Sequence, residues 1–328
     1  MAESNLKQMR TGQDQKQLLI DEHGRKIRKL RVSLLEDCNL RCFYCMPKNI
    51  KFPHHSKRMS VDEIIRLIRI MLDYGIERVR LTGGEPTMRP EFEEIVSRLS
   101  ELPIERLALT TNGSKLEKLL PFLKTTNLRY INISLDSLKA GKFKKITNSN
   151  IFGKAMSANE ATAANGFYTK INVLAMRGVN DDEILDFVDF SERTGIEVRF
   201  LELMRIGSAI ENQKNQFIKA DDIIDIIHKK YELQNRDAAH DSTSINYKTP
   251  AGGLVGIIAS ESKPFCGNCS RWRLSANGKL RPCLMKTDGH QIAYKDENEI
   301  HELFMKTLKM KPIGRVYEMV QNMNEVGG

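Results

Sequence analysis

Short apolar runs and longer amphipathic ones alternate along the chain between about residues 30 and 204. Six of the short runs read as strands: LRVSLL (30–35), VRLT (79–82), LALTT (107–111), YINISLD (130–136), KINVLAM (170–176) and VRFLELM (198–204). Their apolar, β-branched character predicts strands buried on both faces, as in a parallel sheet. The segments between them carry helical periodicity. In SVDEIIRLIRIMLDYG, Ser60 and Glu63 have the spacing of a capping box, and Ile64, Leu67, Ile68, Met71 and Leu72 form an apolar stripe. Gly75 is placed to end that helix. NDDEILDFVDFSERTG repeats the scheme, with Asn180 as cap and Gly195 as stop.

Strand–helix alternation predicts a parallel α/β architecture with right-handed crossovers. Six strands fall short of the eight that close a barrel, so the expectation is an open (β/α)6 TIM-type barrel with a lateral mouth. The pattern changes after residue 205. A helix at ADDIIDIIHKKY (220–231) precedes Gly- and Ser-rich, strand-like pieces and a last helix near 297–309. The predicted division is a loose arm over 1–22, the barrel over 23–210 and a C-terminal α+β region over 211–328. Polar groups gather where strands end: 38–45, TGGEP (82–86), TTNG (110–113), SLD (134–136) and Met204. That is the carboxyl edge, where parallel α/β proteins bind ligands.

No stretch of eighteen apolar residues predicts a membrane span, and the polar start lacks the apolar core of a secretory signal. These features predict a cytoplasmic protein, in which six cysteines more often hold metal or do chemistry than form disulfides. The net charge of +9 favours an anionic partner, or an ordinary basic surface. A single Trp gives little sign of a nucleic-acid stacking platform.

The cysteines fall into two trios, Cys38, Cys42, Cys45 and Cys266, Cys269, Cys283. Structural zinc wants four ligands, usually in two close pairs. A [4Fe–4S] cube held by three thiolates keeps one iron free for a small-molecule ligand. One zinc on Cys42, Cys45, Cys266 and Cys269 is the alternative, and it leaves Cys38 and Cys283 idle.

CNLRCFYC (38–45), with GGEP at 83–86, resembles the two hallmarks of the radical S-adenosylmethionine (SAM) superfamily. FCGNCSRWRLSANGKLRPCL (265–284) is similar to the C-terminal signature of the GTP 3',8-cyclases, the molybdenum-cofactor biosynthesis A proteins. HGRKIRKLRVSL, RLTGGEPTMRP, TTNG, ISLDSL, GVNDDEI, RFLELMRIG and a final Gly-Gly follow that family's order, so the resemblance spans about residues 23 to 328.

The resemblance implies a lyase-type enzyme with two [4Fe–4S] clusters, the first on Cys38, Cys42 and Cys45 and the second on Cys266, Cys269 and Cys283. SAM is expected at the first, beside Tyr44, Gly84, Ser134 and Met204. Gly83 and Gly84 would let the backbone approach its methionine group. GTP is expected to meet Arg31, Arg80, Thr110, Lys170, Arg199, Arg271 and Arg273, with the Gly327–Gly328 tail entering the site. Guanidinium forks suit phosphate oxygens. Arg271 and Arg273, two apart in an extended segment, would face one way and Trp272 the other. In the family a 5'-deoxyadenosyl radical takes the 3' hydrogen of GTP, the ribose carbon attacks C8, and reduction gives (8S)-3',8-cyclo-7,8-dihydroguanosine 5'-triphosphate. An electron donor is implied. The product passes to cyclic pyranopterin monophosphate synthase, and a homodimer is left open. The chain departs from the family at Leu35, Glu36 and Asp37, where a Thr and an Arg are usual, and after Cys-Met-Pro at 45–47. Other readings are a peptide-modifying radical SAM enzyme and a basic zinc protein that binds nucleic acid.

Overall fold

The computed structural model describes residues 18–52, 58–317 and 319–327. In chain order the elements are β1 (Lys29–Ser33), α1 (Val61–Asp73), β2 (Arg78–Thr82), α2 (Phe92–Ser100), β3 (Arg106–Thr111), α3 (Leu116–Lys124), β4 (Leu128–Ser134), α4 (Ala140–Thr147), α5 (Phe152–Ala164), β5 (Tyr168–Leu174), α6 (Ile184–Thr194) and β6 (Glu197–Leu201). The C-terminal region adds α7 (Ile210–Gln216), α8 (Ala220–His228), β7 (Gln234–Arg236), β8 (Ile245–Lys248), β9 (Leu254–Ile258), β10 (Arg271–Leu274), β11 (Lys279–Arg281), β12 (His290–Gln291), α9 (Glu297–Lys309) and α10 (Met323–Val326).

All six predicted strands form, and they pair in parallel as neighbours from β1 to β6. The C-terminal region then lengthens the same sheet at both edges. β10 joins β1 and β9 joins β6, both in parallel. Antiparallel strands follow outside them, giving the order β12-β11-β10-β1-β2-β3-β4-β5-β6-β9-β8-β7. The barrel therefore stays open, with its lateral edges occupied by chain from beyond residue 230.

The strands are not apolar on both faces, and that expectation is corrected. Leu30, Val32, Val79, Leu81, Leu107, Leu109, Ile131 and Ile133 are buried in the core that includes α1–α3 residues. Ile171, Val173, Val198 and Phe200 belong to a second core with Ile184, Phe187 and Val188 of α6 and Ile223 and Ile227 of α8. The alternate residues Arg31, Arg80, Asn132, Asn172 and Arg199 line a cavity instead. The period of two separates these sets because successive side chains leave a strand on opposite faces. Trp272, between Arg271 and Arg273, faces the core as expected. It is fully buried and packs on Phe304 of α9, with ring centroids 5.6 Å apart.

Local signals held unevenly. Gly75 (φ +88°) and Gly195 (φ +71°) end α1 and α6 in the left-handed region that glycine enters without a Cβ penalty. Ser60 Oγ accepts from the Glu63 amide at 3.2 Å, but the Glu63 carboxylate bonds Arg66 and the Tyr294 amide rather than the Ser60 amide, so only half the box forms. Asn180 does not cap. Its side chain accepts from the Met176 amide (2.8 Å) and donates to the carbonyls of Asp136 (2.7 Å) and Leu174 (2.9 Å), stitching two strand ends together. Residues 1–17 of the stretch read as a loose arm lie outside the described residues; in the remainder Leu19 is fully buried, and its carbonyl accepts from the Ile27 amide at 2.8 Å.

Candidate functional site

A cavity of about 850 Å³ opens along the inner face of the sheet. All six cysteines line it, none of them in a disulfide. Both trios therefore open onto one space.

The first trio sits on the loop after β1, and the GGEP turn after β2 holds that loop by its backbone. The Gly84 amide donates to the Leu35 carbonyl and the Glu85 amide to that of Asp37, each at 2.8 Å. A Cβ on Gly83 would lie 2.4 Å from the Leu35 carbonyl oxygen, and one on Gly84 2.1 Å from that of Asp37. These glycines thus make room for the cysteine loop, which is a structural role apart from the approach to a ligand read from the sequence. The departures at Leu35, Glu36 and Asp37 fall where main-chain bonds set the path. Burial, then Glu325 and Asp37, raise the Glu36 carboxyl to about 7.

Glu85 is a tie the sequence reading missed. Its buried carboxylate accepts from the Thr87 amide (3.1 Å), Thr87 Oγ1 (2.6 Å), Thr111 Oγ1 (2.7 Å) and the Asn112 amide (2.6 Å), joining the turns after β2 and β3. Asn112 in turn donates to Asn39 Oδ1 at 2.8 Å, next to Cys38. Tyr44 donates to Asp136 Oδ2 at 2.6 Å, and Asp136 Oδ1 accepts from the Leu174 amide at 2.8 Å. Burial raises Asp136 to about 6 against both bonds. The E of GGEP and the D of SLD were the available signals, passed over as turn and strand-end residues.

Burial raises Cys38 to about 11 and Cys45 to about 12, and pushes Cys42 well up. Three half-buried thiols side by side are favoured as thiolates when positive charge joins them, as a metal group supplies. In the second trio burial likewise pushes Cys266 up, and Cys269 is the exception. Burial pushes Cys269 up too, but Arg271 and Lys311 outweigh it and bring it to about 6. Lys311 Nζ lies 3.5 Å and an Arg271 nitrogen 3.8 Å from Cys269 Sγ. Free thiols, a glycine cradle and placement on one cavity fit two iron–sulfur groups. One zinc on Cys42, Cys45, Cys266 and Cys269 would take two thiols from each trio and leave Cys38 and Cys283, which line the same cavity, unused.

Between the trios the wall is cationic. Register sets Arg273 beside Arg31 and Arg31 beside Arg80 across β10, β1 and β2. Burial, then neighbouring Arg271, lowers Arg31 to about 10; burial, then Arg31 and Arg199, lowers Arg80 to about 9. Like charges crowded this way favour an anionic occupant. Tyr44, Gly84, Ser134, Met204, Thr110 and Arg199 also line the cavity, as do Arg78 and Arg106, which the sequence reading omitted. Lys170 is not among the lining residues. Its ammonium pairs with Glu197 at 2.8 Å, and the same carboxylate holds Arg199 at 2.6 Å. Gly327 (φ +69°) reaches the site's wall, where its carbonyl accepts from Arg273 and from Thr82 Oγ1. Gly328 lies outside the described residues.

Residues 32–191 match the Radical SAM superfamily and residues 196–315 match Molybdenum Cofactor Synthesis C. A GTP 3',8-cyclase from Synechocystis is 44% identical over 310 residues, covering 94% of this chain and 95% of the relative. The chain belongs to the GTP 3',8-cyclase family. Another member, from Aquifex aeolicus, is 37% identical over 88% of this chain and 92% of its own. The chain is thus a radical SAM enzyme of the molybdenum-cofactor branch, with SAM and iron–sulfur clusters as its cofactors. Streptococcus suis SuiB bound to its precursor peptide SuiA shares the fold, with a TM-score of 0.65 at 13% identity over 90% of this chain and 69% of SuiB. No helix among the described residues is long and apolar enough to cross a membrane.

Proposed function

We propose that this chain converts GTP to (8S)-3',8-cyclo-7,8-dihydroguanosine 5'-triphosphate, the first step of molybdenum cofactor biosynthesis. The observation that carries the reading is the shared cavity: two thiol trios face one space whose wall bears Arg31, Arg80, Arg199, Arg271 and Arg273.

Cys38, Cys42 and Cys45 would hold one cluster and Cys266, Cys269 and Cys283 the other. When bound, the first supplies, with SAM, one-electron cleavage of a carbon–sulfur bond and so the means to abstract a hydrogen atom. The chain's own residues orient and enclose. Tyr44, fixed by Asp136, shapes the first cysteine loop, and Gly84, Ser134 and Met204, which line the cavity, would border SAM. Arg31, Arg80, Thr110, Arg199, Arg271 and Arg273 bind the triphosphate and base. Lys170 acts beside them through Glu197, which it shares with Arg199. Gly327 brings the tail against the wall of the space, where an added Cβ would stand 2.9 Å from Ser33 Cβ and so glycine suits the position. The enzyme works in the cytoplasm, draws on an external electron donor and passes its product to cyclic pyranopterin monophosphate synthase.

Anaerobic, iron-reconstituted protein with SAM and a strong reductant should release 5'-deoxyadenosine when GTP is present and not when ATP or a peptide replaces it. Equal release with ATP or peptide would overturn the cyclase reading and leave the superfamily intact.

A further inference from the structure

Lys311, just after α9, is buried at 4% exposure, yet it meets no carboxylate among the described residues. Its ammonium donates to the carbonyls of Arg271 (2.8 Å) and Pro282 (3.1 Å) and lies 3.5 Å from Cys269 Sγ. It thereby links β10 to the segment that carries Cys283. Arg25 braces the other side. Paired with buried Asp21 at 2.7 Å, it donates to the carbonyls of Cys266 and Pro312, each at 2.8 Å, and of Lys311 at 3.2 Å. Asp21 answers the charge of Arg25. Among the described residues, the groups that can answer the charge of Lys311 are the sulfurs it faces. A buried ammonium without a counter-charge is costly, so negative charge on the trio favours this one in its place.

We propose that Lys311 is a positioning residue for the second trio, aligning Cys269 and Cys283 and favouring the electron-rich state of the iron–sulfur group they hold. The inference rests on the reading that Cys266, Cys269 and Cys283 bind such a group. A fixed positive charge beside the sulfurs, in a low-dielectric interior, stabilises an added electron more than water would. Hydrogen bonds and net charge around the sulfurs set the potential of such groups.

The test uses full-length, anaerobically reconstituted protein, with iron analysis and an EPR redox titration in which the first cluster serves as internal control. Lys311→Met should keep both clusters and move the second midpoint to more negative potential. At a poised potential its reduced-to-oxidised ratio should fall at least tenfold, about 59 mV for one electron, while the first cluster stays in place. Lys311→Gln, which retains N–H donors for the two carbonyls but no charge, should shift the same way. Loss of the second cluster alone in either variant would also support the assignment. An unchanged second midpoint with full iron would overturn it, as would loss of both clusters together, which would make Lys311 a residue of the general fold. If the unsubstituted protein holds no second cluster, the parent reading fails instead.

Discussion

A Cβ placed on Gly84 would stand 2.1 Å from the carbonyl oxygen of Asp37, closer than any side chain can come to backbone. The turn after β2 and the lip of the first cysteine loop are therefore built as one unit. Gly84→Ala should displace that lip and cost the protein its first cluster while the second, on other elements, survives. Iron per chain should fall from about eight to about four, with SAM binding lost. Full iron in this variant would refute the coupling.

Glu85 carries four hydrogen bonds from two turns. Glu85→Gln would set an amide N–H₂ against donors that need an acceptor. The expected loss is about 1–3 kcal/mol of stability, read as a lower denaturation midpoint in the apo protein. A midpoint equal to the parent's would show that the tie is dispensable.

Arg80 lies in the cationic row away from either thiol trio, its guanidinium donating to the Leu109 carbonyl at 3.1 Å and to Thr110 Oγ1 at 3.3 Å. Arg80→Ala should weaken GTP binding roughly tenfold or more, since one hydrogen bond to a charged group contributes about 1.5–3 kcal/mol. Iron content should not change. Calorimetry under anaerobic conditions separates this from a cluster defect, which would appear as iron loss with nucleotide affinity intact.

Asp241 reaches from the loop between β7 and β8 to Lys29 of β1 (2.7 Å), Arg28 (2.9 Å) and Ser270 Oγ (2.5 Å), bridging the two sides of the open barrel. Burial opposes its charge, but the bonds and the cations outweigh that and hold the carboxyl well below its ordinary 3.8. A depressed folded-state pKa contributes stability that is present above the unfolded value and lost as pH falls through the folded one. The stability difference between parent and Asp241→Asn should thus be flat from pH 5 to 8 and shrink only below about pH 3.8. A difference that varies through neutral pH would assign the effect to another group.

The local and the chemical were legible in the sequence, and the long-range was not. Strands β1 to β6, the stop glycines 75 and 195, both cysteine trios and the opposed facing of Trp272 and its flanking arginines all follow from short-range pattern. The strand-like character of the stretches that become β9 and β10 was legible, but their pairing with β6 and β1 was not, because each partner lies more than fifty residues away and nothing in GGLVGII or RWRL names it. The face of the strands was misjudged because Arg31, Arg80 and Arg199 interrupt otherwise apolar runs; their period of two was the sign of a polar interior. Asn180, Glu85 and Lys311 have sequence contexts of a cap, a turn and a surface charge. Only their partners in space give them other roles.

The central claim is that each trio of thiols holds its own cluster facing the common cavity. EPR spectra of the reduced, reconstituted protein, titrated first with SAM and then with GTP, test it most directly. Two cluster signals, one altered by SAM and the other by GTP, are the predicted result; a single signal, or two signals indifferent to both ligands, would contradict it.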